Sequence, residues 1–142
     1  MTEIETLLQA IQHGLLLSPE TFAGLDLEAV LSGRDQTEFE NKWLELFNKL
    51  QDTPLTAQEA SVIDRIREVA YKAAFESVSD PELSGYVSDD FEVIAKGVAS
   101  RCQNEFLNGL LKAYVEGKVP GGGAVSSQVP ISAMMITLRA NL

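Results

Sequence analysis

The chain has 142 residues, 45% of them hydrophobic, and a formal net charge of −10. That length and apolar content fit one globular domain with its own core and argue against wholesale disorder. So acidic a body repels nucleic acid and anionic membrane and attracts basic partners.

The charge is unevenly placed. Of 21 acidic residues, 19 fall in the first hundred positions beside seven basic ones, which leaves −12 there. The remainder carries two acids and four bases, a net +2, and the last 26 residues, from Gly117, contain no acid. The N-terminus Met1-Thr2-Glu3-Ile4-Glu5 is acidic where a signal peptide would be basic. No apolar run approaches the ~20 residues that span a bilayer. Cys102 is alone and forms no disulfide within the chain. These features predict a soluble, cytoplasmic protein that engages no membrane.

Helical spacing recurs almost throughout. Ile4, Leu7, Leu8 and Ile11 mark a first helix, with His13 at its end and Gly14 as a stop. Ser18-Pro19-Glu20 has the pattern of a helix start and opens a short, Gly-interrupted region reaching Leu31. Phe39, Trp43, Leu46, Phe47 and Leu50 form the stripe of a longer helix, with Trp43 as its core anchor, and Pro54 breaks it.

Thr56-Ala57-Gln58-Glu59 fits a capping box and opens a helix with Val62, Ile66, Val69 and Ala73 on one face. Residues 79–85 read as a turn, after which Ser88-Asp89-Asp90 would cap a helix facing inward through Phe91, Ile94, Ala95 and Val98. Phe106, Leu107, Leu110, Leu111 and Tyr114 outline the next, stopped by Gly117.

Pro120-Gly121-Gly122-Gly123 reads as a flexible linker. Beyond it, Ile131, Met134, Met135 and Leu138 keep i, i+3, i+4, i+7 spacing. The expectation is an all-α bundle of about five to seven helices. Residues 1–116 would form an acidic helical domain, and residues 117–142 a Gly-rich linker with a short apolar helix. That helix must cover its own domain or a second subunit, the latter giving a homodimer.

One segment stands out as a candidate binding surface. Asp80, Glu82, Asp89, Asp90 and Glu92 lie between Lys72 and Lys96 with no basic residue among them, and Tyr86 is interleaved. Acids around an aromatic side chain are what a surface for a basic protein presents: charge speeds encounter and the ring anchors the contact. The plainer alternative is a solvated face whose Asp89 and Asp90 favour a helix start. An EF-hand frame from Asp80 fails, because its twelfth position is Phe91 rather than a bidentate carboxylate. One Cys and one His cannot build a structural zinc site, and no cofactor motif is present.

The leading expectation is therefore a non-enzymatic acidic protein that engages and neutralises a basic protein partner. In that it has the general character of small bacterial immunity proteins. A chaperone or adaptor for an exported client and a small carboxylate-dependent hydrolase stand as the alternatives.

Overall fold

The computed structural model describes residues 1–123 and 125–142; Ala124 lies outside them. The fold is all-α, with no strand among the described residues. In chain order the helices are α1 (Glu3–Gln12), α2 (Pro19–Phe22), α3 (Leu27–Arg34) and α4 (Thr37–Leu50). They are followed by α5 (Ala57–Val78), α6 (Pro81–Ser100), α7 (Glu105–Val115) and α8 (Ile131–Ala140). The described helices thus exceed the expected five to seven, because the Gly-interrupted region resolves into the separate α2 and α3.

Local chemistry accounts for most of the boundaries. Thr56 and Glu59 form the expected capping box at α5, and Thr2 with Glu5 forms another at α1. His13 is the C-terminal cap of α1, and Gly14 follows at φ 78°. The start of α6 differs from expectation. Ser79 ends α5 in the left-handed region at φ 55°, and Asp80 caps α6 at once, its carboxylate accepting from the Leu83 N–H at 2.8 Å. With Pro81 at the first helical position, the supposed turn is the first stretch of a 20-residue helix. Asp89 and Asp90 consequently lie mid-helix, and the Ser88 hydroxyl donates to the Arg67 carbonyl at 3.0 Å instead of capping anything.

Helix α6 is the hub. It buries Leu83, Val87, Phe91, Ile94 and Val98 and packs against α1, α4, α5 and α7. The buried stripe of α5 is Ile63, Ile66, Ala70 and Ala74, rotated slightly from the expected one. Alanines at 70 and 74 present little side chain, which lets α5 lie close along α6.

The C-terminal segment is laced onto the domain. Helix α8 packs on α1 and α7 and buries Ile131, Met134, Met135 and Leu138 within the chain itself. Its apolar stripe is thereby used internally. Gly121 and Gly122 of the glycine run are likewise packed rather than free, whereas Gly123 is exposed. A Cβ on Gly33 of α3 would stand 2.6 Å from the Gly121 carbonyl oxygen and 2.9 Å from the Gly122 nitrogen. A Cβ on Gly109 of α7 would collide with the Val125 carbonyl. Asn108 completes the attachment, its amide donating to Ser127 O at 3.1 Å and its side-chain oxygen accepting from Ile131 N at 3.2 Å.

This close approach predicts opposite effects at two glycines. Gly33→Ala pushes against backbone that cannot rotate away and should cost about 1–3 kcal/mol. Gly85→Ala, inside α6 with nothing within 4 Å of the new methyl, should stabilise by about 0.5–1 kcal/mol. Urea unfolding of the two variants checks both signs.

Candidate functional site

The centre of the molecule holds a carboxylate. Asp90 is fully buried on α6, and each of its oxygens accepts two hydrogen bonds. Arg34, at the end of α3, donates from Nη1 to Oδ2 at 2.9 Å and from Nη2 to Oδ1 at 2.7 Å. The Trp43 indole Nε1 of α4 donates to Oδ1 at 2.9 Å, and the Tyr114 hydroxyl of α7 to Oδ2 at 2.6 Å. Arg34 Nη1 also donates to the Pro120 carbonyl at 2.9 Å. Among the side-chain nitrogens and oxygens of the described residues, only Arg34 Nε is buried without a hydrogen-bond partner.

Electrostatics follow from this arrangement. Burial opposes the Arg34 charge, but attraction and hydrogen bonding to Asp90 outweigh it and raise the guanidinium pKa above its ordinary value. Burial, reinforced by the Asp90 charge, holds the Tyr114 phenol well above its usual 10.

Arg34 is also the floor of a cleft of about 350 Å³ between α4 and α6. Its guanidinium carbon lies 5.0 Å from the Phe39 ring centre and 4.8 Å from that of Tyr86, so two aromatic faces enclose it. Trp43, stacked on Phe47 at 5.5 Å, and Leu44, 44% exposed, continue the apolar wall. Asp35, Glu40 and Asp89 supply the carboxylates that line it. Asp35 and Glu40 form no ion pair among the described residues, whereas Asp89 pairs with Arg67 at 3.0 Å. Burial pushes the Asp89 carboxyl above its usual pKa; Arg67 pulls it down, and Asp90 and Glu92 push it up again.

The six sequence-predicted residues separate into distinct surroundings. Glu82, Tyr86 and Asp89, spaced i, i+4, i+7 on α6, share one face, and the Tyr86 hydroxyl lies 3.5 Å from Glu82. Burial, followed by the charges of Asp35 and Glu82, raises the Tyr86 phenol pKa. Asp80 spends its carboxylate on the helix cap. Glu92 turns toward α5, 3.1 Å from Arg67 and 3.9 Å from Lys96. Asp90 belongs to no exposed face: a helix that begins at Asp80 puts position 90 on the inward stripe with Leu83, Val87 and Ile94. Trp43, expected as a plain core anchor, is half-buried and serves as a hydrogen-bond donor.

Arg34, Asp35, Glu40 and Tyr114 were not singled out from the sequence as site residues. Two signals pointed to the network. Arg34 is the sole Lys or Arg before Lys42, and Tyr114 brings a hydroxyl into an otherwise apolar stripe that must find a partner when buried.

These features define a small helical protein whose acidic, aromatic-walled cleft rests on a buried ion pair with a fully bonded carboxylate. Its described residues include no helix long and apolar enough to cross a membrane. They also hold no group of three His, Cys, Asp or Glu side chains placed to bind a metal ion. The chain belongs to the family described as immunity protein PIM1, whose model matches residues 6–121. That span takes in the whole Asp90 network and every residue of the cleft. No curated protein matches the chain.

Removing one partner from the network leaves an uncompensated charge or donor in the core. Asp90→Asn should therefore cost about 3–5 kcal/mol, and Tyr114→Phe about 1.5–3 kcal/mol, both read by chemical denaturation. A pH effect follows from the phenols. The unfolded chain releases their protons near pH 10, while folded Tyr86 and Tyr114 hold theirs to higher pH. The unfolded state then binds fewer protons, so stability falls as pH rises past 10 and is unaffected by these groups below it. Melting temperatures between pH 8 and pH 11 should show this decline, and Tyr114→Phe should make it shallower.

Proposed function

We propose that this chain is a cytoplasmic immunity protein that neutralises a basic protein toxin by binding it, without catalysis. The binding face would be formed by α4 and the first half of α6. The observation that carries this reading is the cleft itself. In a protein of an immunity family, two carboxylates without ion-pair partners among the described residues and an exposed leucine stand beside aromatic walls on an internally neutralised floor.

Carboxylates at such a face accelerate encounter with a cationic partner, and the apolar wall slows its departure. Glu82, Tyr86 and Asp89 supply the α6 side; Asp35, Glu40, Trp43 and Leu44 supply the rest. Asp80 and Glu92 add to the negative field from the edges, and Asp90 acts from beneath by holding Arg34. The client-holding alternative is less well supported, because the apolar stripe of α8 that suggested it is buried within the chain. Catalysis by paired carboxylates has no comparable support: Asp90 is saturated with hydrogen bonds, and Asp89 is engaged by Arg67.

Protection of growing cells against the cognate toxin tests the role, and kinetics test the face. Converting Asp35, Glu40, Glu82 and Asp89 to Asn or Gln should slow association about tenfold or more at low salt. It should also flatten the salt dependence and leave the circular dichroism spectrum helical. Leu44→Ala should act mainly on the dissociation rate. Unchanged toxin affinity in the fourfold variant would remove the acidic face from the reading.

A further inference from the structure

Deepening the immunity reading, on which this rests, we propose that the α4–α6 cleft receives the guanidinium of a single arginine side chain of the partner protein. The cleft is small: about 350 Å³ is near the lower end of the range for ligand sites, roughly 300–1,000 Å³. It has room for one side chain rather than for a folded segment.

Its chemistry selects the occupant. The one cation in its wall among the described residues, Arg34, is paired bidentately with Asp90, so its charge is already balanced from below. The carboxylates of Asp35, Glu40 and Asp89 are left to set the sign of the cleft, and that sign is negative. Asp35 and Glu40 have no ion-pair partner among the described residues, and Asp89 has one shared cation, Arg67, which also serves Glu92.

Arginine fits this wall better than lysine does. A guanidinium is planar and weakly hydrated, stacks on aromatic faces and bonds carboxylates through a fork. The ammonium of lysine is compact and strongly hydrated, and gives up more on leaving water for an aromatic wall. The molecule already uses this packing once, where Arg34 lies between Phe39 and Tyr86. The incoming group would continue the stack along Trp43, with Glu40 and Asp89 as its acceptors and Leu44 against its methylene chain.

Trp43 is the only tryptophan, so its fluorescence and its single indole N–H resonance report directly on the cleft. The probe is Nα-acetyl-arginine amide, compared with Nα-acetyl-citrulline amide, its uncharged isostere, and with Nα-acetyl-lysine amide. The expected result is a saturable change at Trp43 with a dissociation constant of order 1–30 mM. Citrulline should be weaker by about tenfold or more, lysine should be weaker than arginine, and added salt should weaken the charged probes.

Glu40→Gln, an exposed change on α4 that leaves the core untouched, should weaken arginine several-fold, and Glu40→Gln with Asp89→Asn should weaken it further. Citrulline or lysine binding as well as arginine would overturn the assignment, as would no saturable change at Trp43 with the arginine probe. Such a failure in a chain that still protects cells from its toxin would leave the immunity role standing without this cleft. Arginine binding in a chain that gives no protection would support the cleft and sink the role.

Discussion

A carboxylate taken fully out of water must recover what water gave it, and Asp90 recovers it from three other helices. Arg34 reaches it from α3, Trp43 from α4 and Tyr114 from α7, while α6 carries it. The same arginine holds the chain at Pro120. An apolar cluster of equal volume would hold these helices at least as firmly, since desolvating an ion pair costs several kcal/mol per ion. It would not fix where they sit. Four directional bonds on one carboxylate admit one placement of the short α3 against α4 and α6, and that placement forms the floor of the cleft.

This dependence explains the glycines around the network. Arg34 reaches the Pro120 carbonyl only if the backbone at residues 120–122 lies against α3. Gly33 and Gly121 lack the side chains that would hold them apart. The Gly-rich stretch, by composition a flexible linker, is in this context a contact surface made of backbone. Its glycines meet a steric demand, and its entropic cost is offset by the attachment of residues 125–131 to α7.

What was legible in the sequence was whatever depends on local chemistry. Apolar spacing placed α1, α4, α7 and α8 with their buried faces nearly right, and capping chemistry placed the start of α5. The error at α6 came from a local ambiguity. Ser-Asp-Pro-Glu is turn chemistry and also helix-start chemistry, and only tertiary contact along α5 decides between them. Starting the helix eight residues late put Asp90 in an exposed first turn, and its partners Arg34 and Tyr114 then had no reason to be connected to it. Long-range polar pairing leaves no periodic trace. Arg34 and Asp90 stand 56 positions apart, and one charged residue on an apolar stripe looks like noise until its counterion is known. Glu82, Tyr86 and Asp89 were marked by the density of acids around an aromatic ring, and their common i, i+4, i+7 face on α6 appears only once the helix starts at Asp80.

The two ends of the acidic segment now have different physical meanings, although the sequence presents them as one run. Asp90 carries its charge inward, where it is matched, and neutralising it would damage the fold before it revealed anything about binding. Asp35, Glu40 and Asp89 carry theirs to a cleft, where Arg67 offsets only one of them. A protein that keeps its buried charge saturated and its surface charge unmet can present a strong negative field without paying for it in core stability. The C-terminal helix belongs to the first of these tasks. Helix α8 shares no residue with the cleft, buries its stripe on α1 and α7, and lies beyond the span matched to the family. It closes the core on which the network rests, while the network and cleft together lie within residues 34–120.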